Sequence, residues 1–118
     1  MHVNILGTEY KISVKKYDED ETFARESFAG YCDGYTKEIV TCDMSTYKGW
    51  ENEPKETIEI AEKEILRHEI VHAFLNESCL SAIANGVVGS WAKNEEMVDG
   101  IAVQGVKIYD AWKVVGAV

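Results

Sequence analysis

The sequence predicts a single α+β domain over residues 1–118, with a small antiparallel β-meander followed by two helices. Residues 1–50 contain short runs of β-branched and aromatic residues separated by turn residues, which is typical of strands. Residues 55–76 contain neither glycine nor proline and place apolar residues at helical spacing. A chain of 118 residues, of which 46% are hydrophobic, suffices for one packed core but not for two.

The first predicted hairpin joins residues 2–6 to residues 9–14. Gly7 and Thr8 lie between these two runs, and a glycine in that position is typical of a tight turn. The acidic residues 18–21 follow, and such a run of charges favours a solvated loop or the start of a short helix. The acidic run therefore separates the first hairpin from the second.

The second hairpin is predicted from residues 30–33 and 38–43, with its turn at Asp33-Gly34. The second of these runs is rich in residues that prefer β-strands. Cys32 and Cys42 could face each other across this hairpin and bind a metal. Packing in the core or an idle position at the surface is the more frequent role of such cysteines.

The first long helix is predicted from Pro54 to about Asn76, because proline is tolerated in the first turn of a helix. One apolar stripe on this helix consists of Ile58, Ala61 and Ile65. Residues 65–75 are apolar on nearly every side, which predicts a helix that passes through the interior.

Residues 78–90 are predicted to form a loop, with a short helical turn within it as the alternative. A second helix is expected to start between Ser90 and Asn94 and to run to about Trp112. Gly100 and Gly105 weaken this helix by about 1 kcal/mol each relative to alanine. A glycine here could permit close packing of two helices.

Charge and composition limit the class of partner. The formal net charge is −9, from 21 acidic and 12 basic side chains, which disfavours nucleic acid and anionic membrane surfaces and is compatible with a basic peptide.

No run approaches the roughly 20 apolar residues that span a bilayer. The three cysteines, Cys32, Cys42 and Cys79, form no CxxC pair, and the first residues do not resemble a signal peptide. These features predict a cytoplasmic protein.

The sequence HExxH occurs on the first long helix as His68, Glu69 and His72. Spacing of i and i+4 places both imidazoles on one helix face, with Cβ atoms about 5–6 Å apart, so both can reach one zinc ion. Glu69 lies about 100° around the helix from His68 and can act as a base beside the metal. Unpaired polar groups are costly to bury, and a metal would pair them. The alternative is a structural role in which HExxH is a coincidence.

A zinc ion needs a third protein ligand, and NExxxD occurs downstream at residues 94–99. HExxH followed by NExxxD resembles the gluzincin metallopeptidases, the thermolysin-like group. The resemblance implies that Glu95 is the third ligand and that Asp99 holds His68 from behind. Residues 95 and 99 also share a helix face. The adjacent Glu96 remains a rival ligand, and an acidic pair at a helix start also serves to stabilise the helix dipole.

The chain as a whole is similar to the smallest gluzincins, including ImmA/IrrE-like metallopeptidases and short proteins of phages and mobile elements. This resemblance implies a zincin-like fold and a zinc-dependent metalloendopeptidase, in which Glu69 as general base activates a zinc-bound water against a peptide or protein substrate. The alternative function is a zinc-stabilised binding or regulatory module of a phage or mobile element without significant turnover.

The sequence offers several candidates for the other parts of the expected active site. Larger gluzincins stabilise the oxyanion with a histidine or tyrosine, for which the candidates here are His2, Tyr47 and Tyr109. The resemblance also implies that residues 38–43 form an edge strand along which a peptide lies, with an ordinary inner strand as the alternative. The tryptophans could line a substrate groove or simply pack in the core; they are Trp50, Trp91 and Trp112.

Overall fold

A computed structural model describes residues 1–78 and 94–118. Four strands lie in this part of the chain: β1 (His2–Ile5), β2 (Thr8–Lys15), β3 (Gly30–Asp33) and β4 (Glu38–Cys42). Three α-helices accompany them: α1 (Glu21–Glu26), α2 (Lys55–Glu77) and α3 (Glu95–Val114). Short 3₁₀ turns occur at Tyr17–Glu19 and Met44–Thr46. The predicted α+β class is therefore confirmed.

The sheet is mixed, and the prediction of an antiparallel meander is wrong. Its strand order is β1-β2-β4-β3, with β2 and β4 parallel and Ile12 opposite Ile39. A meander needs tight turns between successive strands, whereas residues 16–29 separate β2 from β3 and include α1. This longer connection carries the chain past the neighbouring position, so β3 forms the edge and β4 pairs between β2 and β3.

Both hairpins form, and turn residues explain their geometry. Leu6 and Gly7 connect β1 to β2 and both have positive φ, at 51° and 91°, as a two-residue type I′ turn requires. This turn lies one residue earlier than predicted. In the second hairpin, the Asp33 carboxylate accepts hydrogen bonds from the backbone N–H groups of Tyr35 and Thr36 at 2.9 and 3.2 Å. The turn predicted at Asp33-Gly34 is confirmed.

The two faces of the sheet carry separate apolar clusters. Side chains from β1, β2 and β4 pack on α2 in a cluster that consists of Ile5, Tyr10, Ile12, Ile39 and Ala73. The second cluster lies against α1 and consists of Phe23, Val40, Cys42 and Met44. Cys32 pairs with Ile39 and packs with the first cluster, whereas Cys42 belongs to the second. The two cysteines lie on opposite faces, so they do not face each other across the hairpin.

Helix α2 follows Pro54 and ends at Glu77, within one residue of the prediction. Judged by the described residues, α2 does not pass through the interior of the domain. Its buried residues are Glu69, Ala73 and Leu75, whereas Phe74 is 41% exposed. A sheet of four short strands covers only one side of a 23-residue helix. The structure therefore has a half-buried helix where the sequence predicts a buried one.

A hydrogen bond and an ion pair connect the C-terminal end of α2 to the sheet and to the second hairpin. The hydroxyl of the buried Tyr10 donates to the Glu77 carboxylate at 3.3 Å, and the Lys37 ammonium pairs with the same carboxylate at 2.9 Å. The hydrogen bonds and charge of Lys37 lower the pKa of Glu77, so it stays ionised. These contacts fix the position of α2 relative to β2 and to the second hairpin.

Helix α3 begins as predicted after Asn94, whose side chain accepts a hydrogen bond from the Met97 N–H at 2.9 Å. Val98 and Ala102 are its buried residues. A Cβ on Gly100 would meet no described atom within 4 Å, so the close helix packing considered for this glycine is absent from residues 1–78 and 94–118. Gly105 likewise meets only a side chain of its own helix.

Several predictions fall on residues that the structure does not describe. The loop expected at residues 78–90 lies outside the described residues except for Ser78, which caps α2. Cys79 and Trp91 also lie outside them. Among the described helices, none combines the length and apolar character needed to cross a membrane.

Candidate metal centre

Two imidazoles project from one face of α2. The Nε2 atoms of His68 and His72 are 3.1 Å apart, and the two ring planes meet at 68°. This proximity follows directly from the i and i+4 spacing on an α-helix. The two side chains are about one fifth exposed, so they lie at the floor of a surface depression rather than within the core.

Two carboxylates of α3 face these imidazoles. The Glu95 carboxylate lies 3.0 Å from His68 Nε2 and 3.3 Å from His72 Nε2. One turn later, Asp99 Oδ1 lies 2.6 Å from His68 Nδ1. The imidazole of His68 is therefore held at both nitrogens, and the bond to Asp99 keeps Nε2 directed at Glu95 and His72.

The three facing side chains have the spacing of a zinc site. Ligand atoms bound to a tetrahedral zinc at about 2.0–2.1 Å are separated from one another by about 3.3–3.4 Å. The two Nε2 atoms and the Glu95 carboxylate show separations of 3.0, 3.1 and 3.3 Å. Two imidazoles and one carboxylate also form a ligand set that zinc accepts. The residues present therefore fit a zinc ion.

Glu69 lies beside the two imidazoles and could also contribute a ligand atom to a metal. It is only 6% exposed, and no hydrogen bond to its carboxylate occurs among the described residues. Its oxygen lies within 4.8 Å of the ligand atoms of His68 and His72. Burial raises the pKa of Glu69 to about 7, against the opposing charge of His68 and with further increases from Glu95 and Asp99. This carboxyl group can both accept and release a proton near neutral pH.

Burial also lowers the pKa of His72, which favours its neutral form over the competing influence of Glu95. A neutral imidazole keeps a lone pair for a metal, whereas an imidazolium ion does not.

Close approach of β3 to α2 puts Glu69 in its buried position. A Cβ on Gly30 would lie 2.9 Å from Ile65 Cγ2, 3.1 Å from the Val40 carbonyl oxygen and 3.4 Å from Glu69 Cγ. Only glycine fits here without displacing a neighbour. Gly30 therefore lets the edge strand lie directly against the HExxH segment.

A cleft of about 1020 Å³ extends from the imidazoles along β3. Its walls contain aromatic and acidic side chains, namely Phe28, Tyr47, Trp50, Glu64, Glu95 and Asp99. The strand beside the cleft is β3, which is the edge strand, whereas residues 38–43 contain the inner strand β4. The interpretation of residues 38–43 as the edge strand is therefore wrong.

Some of the remaining predicted site residues line this cleft and others lie away from it. Glu96 is exposed, and no ion pair or side-chain hydrogen bond among the described residues includes it. His2 lies on β1, at the opposite edge of the sheet, and pairs with Glu9 at 3.2 Å. Tyr47 lines the cleft, whereas Tyr109 does not. Of the described tryptophans, Trp50 lines the cleft and also packs against the second apolar cluster, whereas the half-exposed Trp112 does neither.

Three residues at the site went unrecognised in the sequence. Glu64 lies one turn before His68 on the same helix, so its position beside the motif is readable from spacing alone. Arg67 donates to the Ala102 carbonyl at 2.5 Å and links α2 to α3. This contact, like that of Gly30, joins elements distant in sequence, and no local pattern indicates it.

No family model, no curated protein and no solved structure matches the chain. The interpretation of the site therefore depends on its own geometry and on the two sequence motifs.

Proposed function

We propose that the chain is a zinc-dependent metalloendopeptidase of the minimal gluzincin type, with a zincin-like arrangement of its sheet and helices. His68, His72 and Glu95 would hold the zinc, and Asp99 would orient His68. The observation that carries this proposal is the convergence of two imidazole nitrogens and one carboxylate, from two helices, to mutual separations of 3.0–3.3 Å.

A bound zinc would lower the pKa of a water molecule to about 7 and polarise the substrate carbonyl. Glu69 is the proton carrier of the proposed mechanism. Its carboxylate accepts a proton as the water attacks the peptide carbonyl carbon, and the carboxylic acid returns that proton to the leaving nitrogen.

The substrate would bind as an extended peptide. The outer edge of β3 lines the cleft, and none of the described strands pairs with it. An extended chain can pair with such an edge through main-chain hydrogen bonds, which give affinity with little sequence selectivity. This arrangement would pass the peptide across the face of α2 that bears the imidazoles.

A second candidate function is a zinc-stabilised binding or regulatory module without significant turnover. Among the candidates for oxyanion stabilisation, only Tyr47 lines the cleft, and its ring packs edge-on against Tyr17 at 5.1 Å. A zinc site without a group that stabilises the oxyanion would still tie α2 to α3.

Zinc content and peptide hydrolysis test the proposal together. The purified protein should hold about one equivalent of zinc. Glu95→Ala should lose it, whereas the adjacent control Glu96→Ala should keep it. Glu69→Gln should keep zinc and lose at least about 100-fold in hydrolysis of a peptide library.

The possible outcomes separate the candidates. Absence of zinc after reconstitution, or its retention in Glu95→Ala with loss in Glu96→Ala, would contradict the proposed ligand set. Zinc in the wild type without hydrolysis would favour the binding module. Equal hydrolysis by the wild type and Glu69→Gln would overturn the mechanism.

A further inference from the structure

The lining of the cleft is acidic beyond what the metal centre uses. Four carboxylates line it, from Glu64, Glu69, Glu95 and Asp99, and no lysine or arginine does so among the described residues. Three of these carboxylates belong to the metal centre. Glu64 does not, and no ion pair or hydrogen bond among residues 1–78 and 94–118 includes it. Glu64 is thus a half-buried carboxylate beside the metal centre without a partner in the described part of the chain.

Glu64 lies one helix turn from the proposed metal centre. It lies four residues before His68 on α2, so it occupies the same helix face about 6 Å further along the axis. That distance is comparable to the roughly 6.4–6.8 Å between residues i and i+2 of an extended chain, whose side chains lie on the same face. A substrate that runs along α2 would therefore bring a side chain to Glu64 while its peptide bond lies at the metal centre.

Aromatic side chains line the same cleft as this carboxylate. Phe28, Tyr47 and Trp50 line the same cleft, and Phe28 is 47% exposed. Aromatic faces attract cations, and they also cover the aliphatic stem of arginine or lysine. A carboxylate together with aromatic rings is the combination that recognises a long cationic side chain, whereas a purely apolar cleft would favour leucine or phenylalanine.

Glu69 gives an independent indication that the cleft is built to receive a ligand. It is more than nine-tenths buried and lines the cleft, yet its carboxylate has no hydrogen-bond partner among the described residues. A polar ligand in the cleft would offer this carboxylate a hydrogen-bond partner.

We propose that the cleft selects peptides with an arginine or lysine side chain that pairs with Glu64, one helix turn from the metal centre. This inference rests on the proposed function, because it names the substrate class of the same cleft. Glu64 would act as a specificity-determining residue. The net charge of −9 would add a less specific attraction for basic peptides, which a control variant must separate from the effect of Glu64.

Binding of matched peptides tests the inference without requiring hydrolysis. The full chain as purified would carry Glu69→Gln, so that no peptide is cleaved, and fluorescence anisotropy would compare two labelled peptides. One contains a central arginine and the other contains citrulline, which has almost the same shape without the charge. The arginine peptide should bind about fivefold more tightly. Adding Glu64→Gln should reduce this ratio to below about twofold.

Matched variants exclude a general charge effect. Glu56→Gln removes the same charge from an exposed position on α2 that does not line the cleft, and it should keep the full preference for arginine. Glu64→Lys should reverse the preference in favour of a peptide with glutamate at the central position. Equal binding of the arginine and citrulline peptides would overturn the inference, as would equal effects of Glu56→Gln and Glu64→Gln.

The outcome is distinguishable from failure of the proposed function. If the protein holds no zinc but the Glu64-dependent preference persists, the metallopeptidase proposal fails and the cationic binding site stands. If zinc and hydrolysis are present and arginine and citrulline peptides bind equally, only the inference about Glu64 fails.

Discussion

The two helices that build the candidate metal centre differ in how exposed their site residues are. On α2, the side chains of His68 and His72 are 20% and 22% exposed, and Glu69 is buried. On α3, the side chains of Glu95 and Asp99 are both 65% exposed. The α2 half of the centre is supported by packing on the sheet, whereas the α3 half projects from a surface helix.

The supporting contacts explain this difference. Helix α2 packs against the sheet and has Glu77 fastened by Tyr10 and Lys37. In the described part of α3, Val98 and Ala102 are the buried residues, and Arg67 bonds to one carbonyl of the helix. The packing of α2 on the sheet would prepare part of the site before any metal binds. The metal would supply the rest by linking the helices.

The largest expected effect concerns zinc affinity. His72→Ala removes a proposed ligand on α2 and should abolish measurable binding. Asp99→Asn keeps the three proposed ligands but weakens the partner of His68, so it should lower zinc affinity by about 10- to 100-fold. Competition with a chelating dye measures both. Asp110→Asn, an exposed carboxylate further along α3, is the control and should have no effect. Unchanged affinity in Asp99→Asn would show that α3 contributes no orientation.

The next prediction concerns Asp20, whose side chain forms a hydrogen bond to β3. Asp20 accepts a hydrogen bond from the Tyr31 hydroxyl at 2.5 Å and another from the Thr22 N–H at 3.0 Å. These bonds, that of Tyr31 above all, lower the pKa of Asp20 from 3.8 to about 2. Because the pKa is lower in the folded state, the stabilisation is complete above pH 3.8 and disappears as the pH falls towards 2.

Tyr31→Phe should therefore lower the free energy of unfolding by about 1.5–3 kcal/mol at pH 7, the usual contribution of a hydrogen bond to a charged group. The difference from the wild type should shrink between pH 3.8 and 2. Urea unfolding at several pH values measures both quantities. Tyr35→Phe is the control, since Tyr35 is 99% exposed. A difference that does not change with pH would exclude Asp20 as the group responsible.

The difference between local and distant contacts explains which features the sequence could predict. Helix α2 and its motif were predictable because Pro54, apolar spacing and HExxH are local signals. Asn94 likewise indicates the start of α3. The order of the strands was not predictable, because the parallel pairing of β2 with β4 depends on how residues 16–29 cross the sheet. The role of Gly30 depends on a contact with Ile65, which is distant in sequence.

The smallest expected effects come from adding one methyl group to each half. Gly30→Ala would place a Cβ 2.9 Å from Ile65 Cγ2 and 3.1 Å from the Val40 carbonyl oxygen, so it should lower the free energy of unfolding by about 1–3 kcal/mol. Gly100→Ala meets no described atom within 4 Å and should raise that free energy by about 0.5–1 kcal/mol through helix propensity. Thermal or urea unfolding measures both changes. Opposite signs would establish that the α2 side is tightly packed and the α3 side open; destabilisation by both would mean that α3 is packed as closely as α2.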